Sequence, residues 1–332
     1  MNWLELYEEA LESGEAAAGN YNRNVGVHSA EGKVNVRIPL AAADSMDLRV
    51  WDEEDVLTCI RPYVGQAPEL RHVSLDPRFQ VHHFIEGRVL ESFSPRGGPV
   101  PAHVMGDVIE VMDQLVRIPR EMVPALPTDW PDSGNSAGFG RRLAAWTQQV
   151  YDIHREEYAA VFEDFGIPDE PLAVLEPLWD RLTPRPFSVL HSDLHRMNMI
   201  ISGGLTWFVD WELALWGDCL YDVAIHFHKM GYPAWQRAEF FQQWRARLPA
   251  SFTVGAVADL DLYLAHERIK AAIVGTLRYP KQIVGTDQST REFLTGRLVD
   301  KLNAGRAVWG SAPDMTWARV AQTLALRVEQ RE

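Results

Sequence analysis

A dense group of polar residues, HSDLHRMN at positions 191–198, directly follows the apolar run 187–190. It places two histidines, an aspartate, an arginine and an asparagine at the end of a segment whose apolar pattern predicts a buried strand. Three kinds of chemistry fit these residue types: a metal site, a phosphoryl-transfer loop, or a tight corner whose side chains only hydrogen-bond to the backbone. The residues that follow favour the second.

The segment after this group is predicted to be a hairpin that brings oxygen ligands together. Two short apolar strands flank a Ser-Gly-Gly turn centred on Gly204. Residues equidistant from the turn face each other in an antiparallel hairpin, so Asn198 and Asp210 are expected side by side, with Asp193 in the loop that precedes them. Carboxylate and amide oxygens are the ligands that Mg²⁺ prefers. The pattern therefore predicts a site that handles nucleotide phosphates.

Two other interpretations of the same residues stay open. His191, Asp193 and His195 alternate along the chain, so on an extended backbone they could face one zinc or iron ion. That arrangement does not explain why Asn198 and Asp210 mirror each other across a turn. The remaining interpretation is that the two histidines only hydrogen-bond to the backbone at a tight corner.

At these residues the sequence resembles the aminoglycoside phosphotransferase and choline kinase family. The family's catalytic-loop pattern HxDxxxxN fits residues 191–198, its D-W/F-E tripeptide fits 210–212, and its WGDPxxDLA-like segment fits 216–224. The sequence departs from the family at Ser192, where a glycine is usual, and at an Arg-Met pair that stands in place of a frequent Pro-Gly pair. None of these departures removes a catalytic group.

The resemblance implies a role for each matching residue. Asp193 would orient the substrate hydroxyl and accept its proton. Asn198 and Asp210 would hold Mg²⁺ against the nucleotide phosphates. His191 would brace the catalytic loop from within, and Asp222 would brace it from the following helix.

The resemblance also implies a cation for the phosphates. Arg37, in VNVRIP, stands where the family has a strand lysine or arginine. A guanidinium can bridge two phosphate oxygens in a bidentate way, whereas an ammonium acts as a point charge. The expected partner of Arg37 is Glu53 on a following helix, with Glu54 as the rival.

The fold class that the resemblance implies is α+β, a protein-kinase-like fold of two lobes. Residues 1–86 are expected to form a small nucleotide-binding lobe with an antiparallel sheet and an N-terminal helix. Residues 87–332 are expected to form a larger, mainly helical catalytic and substrate-binding lobe. By resemblance, the segment 19–26 would lie over the nucleotide. His83 and Phe84 would form the hinge against which the adenine ring packs.

The composition of the chain narrows the classes of partner. A net charge of −14 over 332 residues argues against nonspecific binding to nucleic acid. No apolar run approaches the roughly 18 residues that a membrane helix needs. The N-terminal segment is acidic where a signal peptide would be basic, and there are two cysteines. We therefore expect a cytoplasmic protein that binds a nucleoside triphosphate and a hydroxylated small molecule, with neither nucleic acid nor membrane as partner.

The expected reaction is transfer of the γ-phosphate of ATP, or of GTP, with Mg²⁺, to a hydroxyl of a small molecule. An antibiotic is the favoured acceptor, and Asp261 and Glu267 are candidate substrate ligands because acids suit a cationic drug. Glu212 is a third candidate substrate ligand, with a contact to the metal or a surface position as its alternatives. A metabolic kinase acting on choline, homoserine or an amino sugar is the alternative. A nucleotide-binding protein without catalysis is a third hypothesis, and the intact Asp193, Asn198 and Asp210 argue against it.

Overall fold

The computed structural model describes residues 2–13, 17–18, 22–40, 49–312 and 314–329, without the side chains of 17–18 and 327–329. Its strands are β1 (Ala17–Ala18), β2 (Asn22–Ser29), β3 (Gly32–Pro39), β4 (Leu70–Leu75), β5 (Arg78–His83), β6 (Arg88–Val89), β7 (Phe187–Leu190), β8 (Met199–Ser202), β9 (Leu205–Phe208) and β10 (Leu215–Asp218). Its α-helices are α1 (Trp3–Glu12), α2 (Glu53–Ile60), α3 (Ala102–Leu115), α4 (Ser136–His154), α5 (Ala159–Phe165), α6 (Cys219–Met230), α7 (Ala234–Arg247), α8 (Ala250–Thr253), α9 (Ala256–Gln282), α10 (Gln288–Trp309) and α11 (Trp317–Glu329). Short 3-10 helices span Leu90–Ser92, Arg120–Met122, Ala173–Arg181 and Arg196–Asn198.

A five-stranded antiparallel sheet in the order β1-β2-β3-β5-β4 carries the first part of the chain. Alternate apolar residues of its strands pack against the buried face of α1, in a core cluster formed by Leu6, Ala10, Val25, Val27, Val34, Val36, Phe79 and Val81. Because side chains alternate between the faces of a strand, the residues between these valines point to the other face. Arg37, which pairs with Gln80 in the β3–β5 ladder, is therefore held on the face opposite α1.

The predicted hairpin is present, but its register differs by one residue from the expectation. Strand β8 pairs with β9 through a two-residue turn, Gly203–Gly204, in which both φ angles are positive (58° and 81°). Asn198 therefore lies opposite Val209, whose N–H donates to the Asn198 carbonyl at 3.0 Å, and not opposite Asp210. A regular strand would send Asp210 to the other face, but its φ of 68° breaks the alternation.

The chain divides into two compact units. The first comprises Met1–Asp129 and Pro186–Thr253, and contains the five-stranded sheet, the β8–β9 hairpin and helix α6. The second comprises Trp130–Arg185 and Val254–Glu332, and is built from α4, α5 and α9–α11. The predicted boundary between lobes at residues 86 and 87 stays a prediction. Within the described ranges, no helix combines the length and the apolar character that crossing a membrane requires.

Candidate functional site

Arg37 is buried on β3 and is surrounded by carboxylates. Its Nε lies 2.9 Å from Glu53 Oε2, and its Nη2 lies 2.6 Å from Asp210 Oδ1 and 2.9 Å from Glu212 Oε2. Burial by itself would lower the pKa of the guanidinium, but the three carboxylates raise it above its ordinary value. Arg37 therefore stays charged and connects the sheet to the segment after β9.

The acid on α2 that reaches Arg37 is Glu53. Its second oxygen, Oε1, accepts the backbone N–H of Trp211 at 3.0 Å, so Glu53 contacts both the arginine and the DWE tripeptide. Glu54, the rival, hydrogen-bonds to the Gln80 side chain instead. The structure thus forms the Arg37–Glu53 pair, and the phosphate-binding role of that pair stays a prediction.

Three acidic side chains surround one guanidinium, whose single positive charge does not balance all three in their ionised forms. Burial raises the pKa of Glu212 to about 8, with a further increase from Asp210 and a partial offset from Arg37. Burial likewise raises the pKa of Glu53, although Arg37 opposes it. The Asn22 side chain on β2, which sequence reasoning missed, donates to Glu212 Oε2 at 2.7 Å. Such a cluster favours the approach of a cation.

The donor set fits Mg²⁺ held jointly with a nucleotide. The amide of Asn198 and the carboxylate of Asp210, which has 28% of its side chain exposed, offer hard oxygen ligands at the end of the β8–β9 hairpin. No group of three or more His, Cys, Asp or Glu residues with metal-binding geometry occurs in the described part of the chain. Mg²⁺ does not need one, because it commonly takes one or two protein ligands and completes its shell with phosphates and water.

Asp193 is ionised and has partners at both carboxylate oxygens. Lys229 forms an ion pair with Oδ1, and Asn198 Nδ2 donates to Oδ2 at 3.0 Å. The Nε2 atom of His195 lies 3.4 Å from the same Oδ2. Burial raises the pKa of Asp193, but Lys229 and His195 outweigh that effect and hold it below the ordinary range of a carboxyl group.

Lys229 is a site residue that sequence reasoning missed. It lies in the last turn of α6, 36 residues after Asp193, outside the three motifs that match the family. A lysine near the C-terminus of a helix is ordinarily explained by the helix dipole, so its type and position carry no separate signal. Only the folded chain brings it to Asp193.

The backbone of the catalytic loop is held by Asp222 on α6. Its Oδ2 accepts the N–H of His191 at 3.0 Å and its Oδ1 accepts the N–H of Ser192 at 2.9 Å. Burial raises the pKa of Asp222 to about 6, although both N–H groups oppose the rise. The His191 ring packs on Trp211 with centroids 4.3 Å apart, and burial lowers its pKa to about 4, so it is neutral.

The contacts of the two histidines show how far each fits the interpretation of a corner whose side chains only hydrogen-bond to the backbone. Within the described residues neither ring nitrogen of His191 has a hydrogen-bond partner, so this ring acts in the loop through packing. His195 does bond to the backbone, since its Nδ1 accepts the N–H of Met197 at 3.2 Å. The two rings therefore have different surroundings: one is packed on an aromatic ring, and the other lies beside Asp193.

Ser192, where the family usually has glycine, adopts a left-handed conformation with φ of 60°. This conformation costs a non-glycine residue about 1–2 kcal/mol. Its buried hydroxyl has no hydrogen-bond partner among the described residues, which adds to the cost. We expect Ser192→Gly to stabilise the protein by about 1 kcal/mol, because the relief of strain exceeds the added entropy of the unfolded chain. Urea denaturation measures this, and a destabilised variant would contradict it.

Arg196 ties the catalytic loop to neighbouring backbone. It is 2% exposed, and its guanidinium donates to the Ser94 carbonyl (2.6 Å), the Ser94 hydroxyl (2.7 Å), the Gly98 carbonyl (2.6 Å) and the Met230 carbonyl (3.0 Å). Arg96, in the same 94–98 segment, donates to the carbonyls of His228 (2.8 Å) and Lys229 (3.1 Å). The arginine that replaces the family's frequent proline thus fixes the loop against the end of α6.

Removal of this arginine should destabilise the protein. Arg196→Met leaves buried carbonyl groups without donors, at an expected cost of about 2–4 kcal/mol in the free energy of unfolding. Urea denaturation followed by circular dichroism measures the change. Arg291→Met, at an exposed position of α10, is the matched control and should change stability by less than about 0.5 kcal/mol. Equal stabilities of the two variants would show that the buried guanidinium is not required.

The predicted hinge residues lie at the end of β5: His83 is its last residue and Phe84 follows it. The ring of His83, at the end of the strand, lies 6.3 Å from that of Trp207. The Lys33 ammonium lies 4.1 Å from the centroid of the Phe84 ring. A Cβ on Gly26 would come within 2.9 Å of Phe84, so the glycine allows β2 to approach this ring. Contact of these residues with a nucleotide stays a prediction.

Other predicted residues lie elsewhere in the chain. Asp261 and Glu267 are on α9, in the second unit. Asp261 is exposed, whereas Glu267 is buried and lies 2.5 Å from Lys270 Nζ and 3.3 Å from His266 Nδ1. The Lys270 ammonium beside Glu267 makes it a less suitable ligand for a cationic substrate. In the predicted nucleotide loop 19–26, residues 19–21 lie outside the described residues and the rest begin β2.

The chain is similar to known phosphotransferases in sequence pattern and in structure. The model of the phosphotransferase enzyme family APH matches residues 14–257. A choline/ethanolamine kinase family protein from Mesorhizobium loti is 14% identical, with a TM-score of 0.59 over 98% of this chain and 100% of that chain. An ethanolamine kinase from Plasmodium vivax is 16% identical, with a TM-score of 0.61 over 89% of this chain and 85% of that chain.

An antibiotic kinase is similar to the same extent. A thermostable mutant of aminoglycoside phosphotransferase APH(4)-Ia, in a ternary complex with AMP-PNP and hygromycin B, is 15% identical. Its TM-score is 0.56, over 90% of this chain and 98% of that chain. No curated protein sequence matches at a significant level.

These likenesses confirm the predicted fold class, an α+β, protein-kinase-like fold with a small antiparallel sheet and a mainly helical remainder. The family model spans well over half of the chain and includes all three motifs of the candidate site. The chain therefore belongs to the phosphotransferase enzyme family.

Proposed function

We propose that this enzyme transfers the γ-phosphoryl group of ATP to a hydroxyl group of a small molecule. The observation that carries the proposal is the shared guanidinium of Arg37, which pairs with Glu53 and also contacts Asp210. This arrangement places a cation suited to phosphates beside a carboxylate suited to Mg²⁺. The likeness to a structure with bound AMP-PNP supports ATP as the nucleotide, with GTP as the alternative.

In the proposed reaction the acceptor oxygen forms a bond to the γ-phosphorus, and the bond from that phosphorus to the β–γ bridging oxygen breaks. Asp193 orients the acceptor hydroxyl and takes its proton, and ADP leaves with the bridging oxygen. Asp193 suits this role because it is held ionised and in place by Lys229 and Asn198. Its depressed pKa makes orientation of the hydroxyl its main contribution, with proton transfer late in the step.

The remaining residues position the nucleotide. Asn198 and Asp210 would hold Mg²⁺, which when bound neutralises charge on the transferred phosphate and its leaving group. Arg37 would bind phosphate oxygens once Asp210 turns to the metal. Glu53 keeps the arginine in place and accepts the Trp211 N–H at 3.0 Å. Glu212, with its raised pKa and contact to Arg37, serves the nucleotide side of the site.

For the acceptor we propose an antibiotic first, in which a phosphate on a needed hydroxyl would abolish target binding and give resistance. The likeness to an aminoglycoside phosphotransferase with hygromycin B supports this class. A metabolic acceptor of the choline or ethanolamine type is the second candidate, supported by the likeness to kinases of those alcohols. Nucleic acid and membrane are not proposed as partners, and a cytoplasmic location stays a prediction.

The test is consumption of Mg²⁺-ATP by the purified enzyme against a panel. One half of the panel holds aminoglycosides and macrolides, and the other half holds choline, ethanolamine, homoserine and amino sugars. Turnover with one drug class supports the first candidate and names its substrate. Turnover confined to a metabolite moves the assignment to the second. Failure to bind Mg²⁺-ATP, measured by calorimetry on the same preparation, would contradict the proposed function as a whole.

A further inference from the structure

Lys229 approaches the catalytic loop from the last turn of α6 and forms an ion pair with Asp193 Oδ1. Its side chain is one-third exposed (33%). An ammonium has three donors, and the contact with Asp193 uses the first of them. The other two can donate to a ligand bound beside Asp193.

The turn that carries Lys229 is held firmly. Its own carbonyl accepts from Arg96 Nε at 3.1 Å, and the Met230 carbonyl accepts from the buried Arg196 at 3.0 Å. The helix ends at Gly231, whose φ of 59° completes the turn. The main chain at Lys229 is therefore tied to the same loop as the aspartate that its side chain contacts.

The position of Lys229 relative to the reacting atoms follows from its contact with Asp193. The acceptor oxygen must hydrogen-bond to this carboxylate, and the γ-phosphorus must lie next to that oxygen. A cation that contacts Asp193 therefore lies close to the phosphoryl group while it is transferred. An ionised base would repel that anionic group, and an adjacent ammonium offsets the repulsion. Charge on the transferred group is spread over its equatorial oxygens, which are acceptors for such a donor.

The groups that contact Asp193 differ in how readily a bound acceptor hydroxyl can replace them. Asn198 bonds to Oδ2 at 3.0 Å and also to the Asp193 carbonyl at 3.1 Å, which makes it part of the loop framework. His195 is the loosest partner, at 3.4 Å from Oδ2. An acceptor hydroxyl can therefore replace the His195 contact at Oδ2 while Lys229 remains at Oδ1.

We propose that Lys229 is a catalytic cation of this enzyme: it neutralises Asp193 in the resting state and donates to the phosphoryl group during transfer. The inference rests on the proposed function, since it needs a phosphoryl donor at this site. It adds a residue from α6 to the set supplied by the matching motifs.

The test measures binding of a phosphoryl-transfer mimic, so that it does not depend on knowing the acceptor. Calorimetry compares the affinity of Mg²⁺-ADP with and without aluminium fluoride, which occupies the place of the phosphoryl group. For Lys229→Met we expect an affinity for Mg²⁺-ADP within about 2-fold of the wild type. The gain in affinity on adding aluminium fluoride should fall about 10-fold or more, as for loss of a transition-state donor. Lys229→Arg should recover part of the gain because it restores the charge.

The matched control is Lys281→Met, which removes the same charge from an exposed position at the end of α9. It should behave as the wild type in both titrations. Once the panel has supplied an acceptor, Lys229→Met should lower kcat by about 10²-fold with little change in the KM for ATP. A merely structural lysine would instead change stability and both titrations together.

Three outcomes are decisive. A selective loss of the aluminium fluoride gain in Lys229→Met, with recovery in Lys229→Arg, supports the inference. An undiminished gain in Lys229→Met overturns the inference and leaves the proposed function intact. A wild type that fails to bind Mg²⁺-ADP overturns the proposed function, and the inference with it.

Discussion

Replacing Asp193 by asparagine is expected to lower kcat by about 10²–10⁴-fold, the range for loss of a positioned general base. The amide keeps the size of the carboxylate and can still accept from Asn198, which donates to Asp193 Oδ2 at 3.0 Å. It cannot accept a proton from the substrate, and it no longer forms an ion pair with Lys229. Affinity for Mg²⁺-ATP should stay within about 3-fold of the wild type, because this residue is not a proposed ligand of the metal.

The measurement is steady-state turnover with the acceptor found on the panel, together with calorimetric titration of the nucleotide. Asp300→Asn makes the same chemical change at an exposed position of α10 and should leave kcat unaltered. Near-full activity of Asp193→Asn would show that the base is assigned to the wrong residue. A parallel loss of nucleotide affinity and of stability would show that Asp193 mainly holds the loop together.

Replacing Asp210 by asparagine should remove most of the dependence of nucleotide binding on Mg²⁺. Asp210 has a φ of 68°, and asparagine tolerates this left-handed conformation, so the backbone is not strained by the change. The amide oxygen can still accept from Arg37, which lies 2.6 Å from Asp210 Oδ1. The substitution therefore isolates the negative charge that a hard cation prefers. We expect the Mg²⁺ concentration for half-maximal binding to rise about 10-fold or more, with a similar loss in kcat.

Nucleotide titrations at a series of Mg²⁺ concentrations test this prediction. Tryptophan fluorescence is a suitable signal, since the buried Trp211 follows Asp210 directly. A control at Asp55, an exposed acid on α2, should leave the Mg²⁺ dependence unchanged when it is replaced by asparagine. An Asp210→Asn variant with the wild-type Mg²⁺ dependence would remove this residue from the metal site.

The Arg37 cluster also has a consequence for how a nucleotide binds. Asp210 contacts the guanidinium and is proposed to contact Mg²⁺, so it must exchange one cation for another. Glu53 and Glu212 keep their contacts with Arg37 at 2.9 Å each and can hold it during that exchange. In the proposed complex the strand arginine would therefore remain oriented toward the phosphates when Asp210 turns to the metal.

Sequence patterns were sufficient for the local parts of this protein. The alternation in VNVRIP predicts a strand with Arg37 among its residues. The Ser-Gly-Gly turn predicts the β8–β9 hairpin. Both predictions succeed because side-chain period and turn chemistry are properties of neighbouring residues. The three ordered motifs were also sufficient to indicate the family, which the family model then showed. The register of the hairpin was wrong by one residue, since a two-residue turn and a three-residue turn are both compatible with the same glycines.

What the sequence by itself determined is thus the class of fold and the residue types of the loop 191–198. What only the tertiary structure decided is which distant groups meet. Asn22 reaches Glu212, and Lys229 reaches Asp193. These contacts join residues 190 and 36 positions apart. Spacing along a chain carries no signal at such separations, because the distance between two side chains is then set by how helices and strands pack.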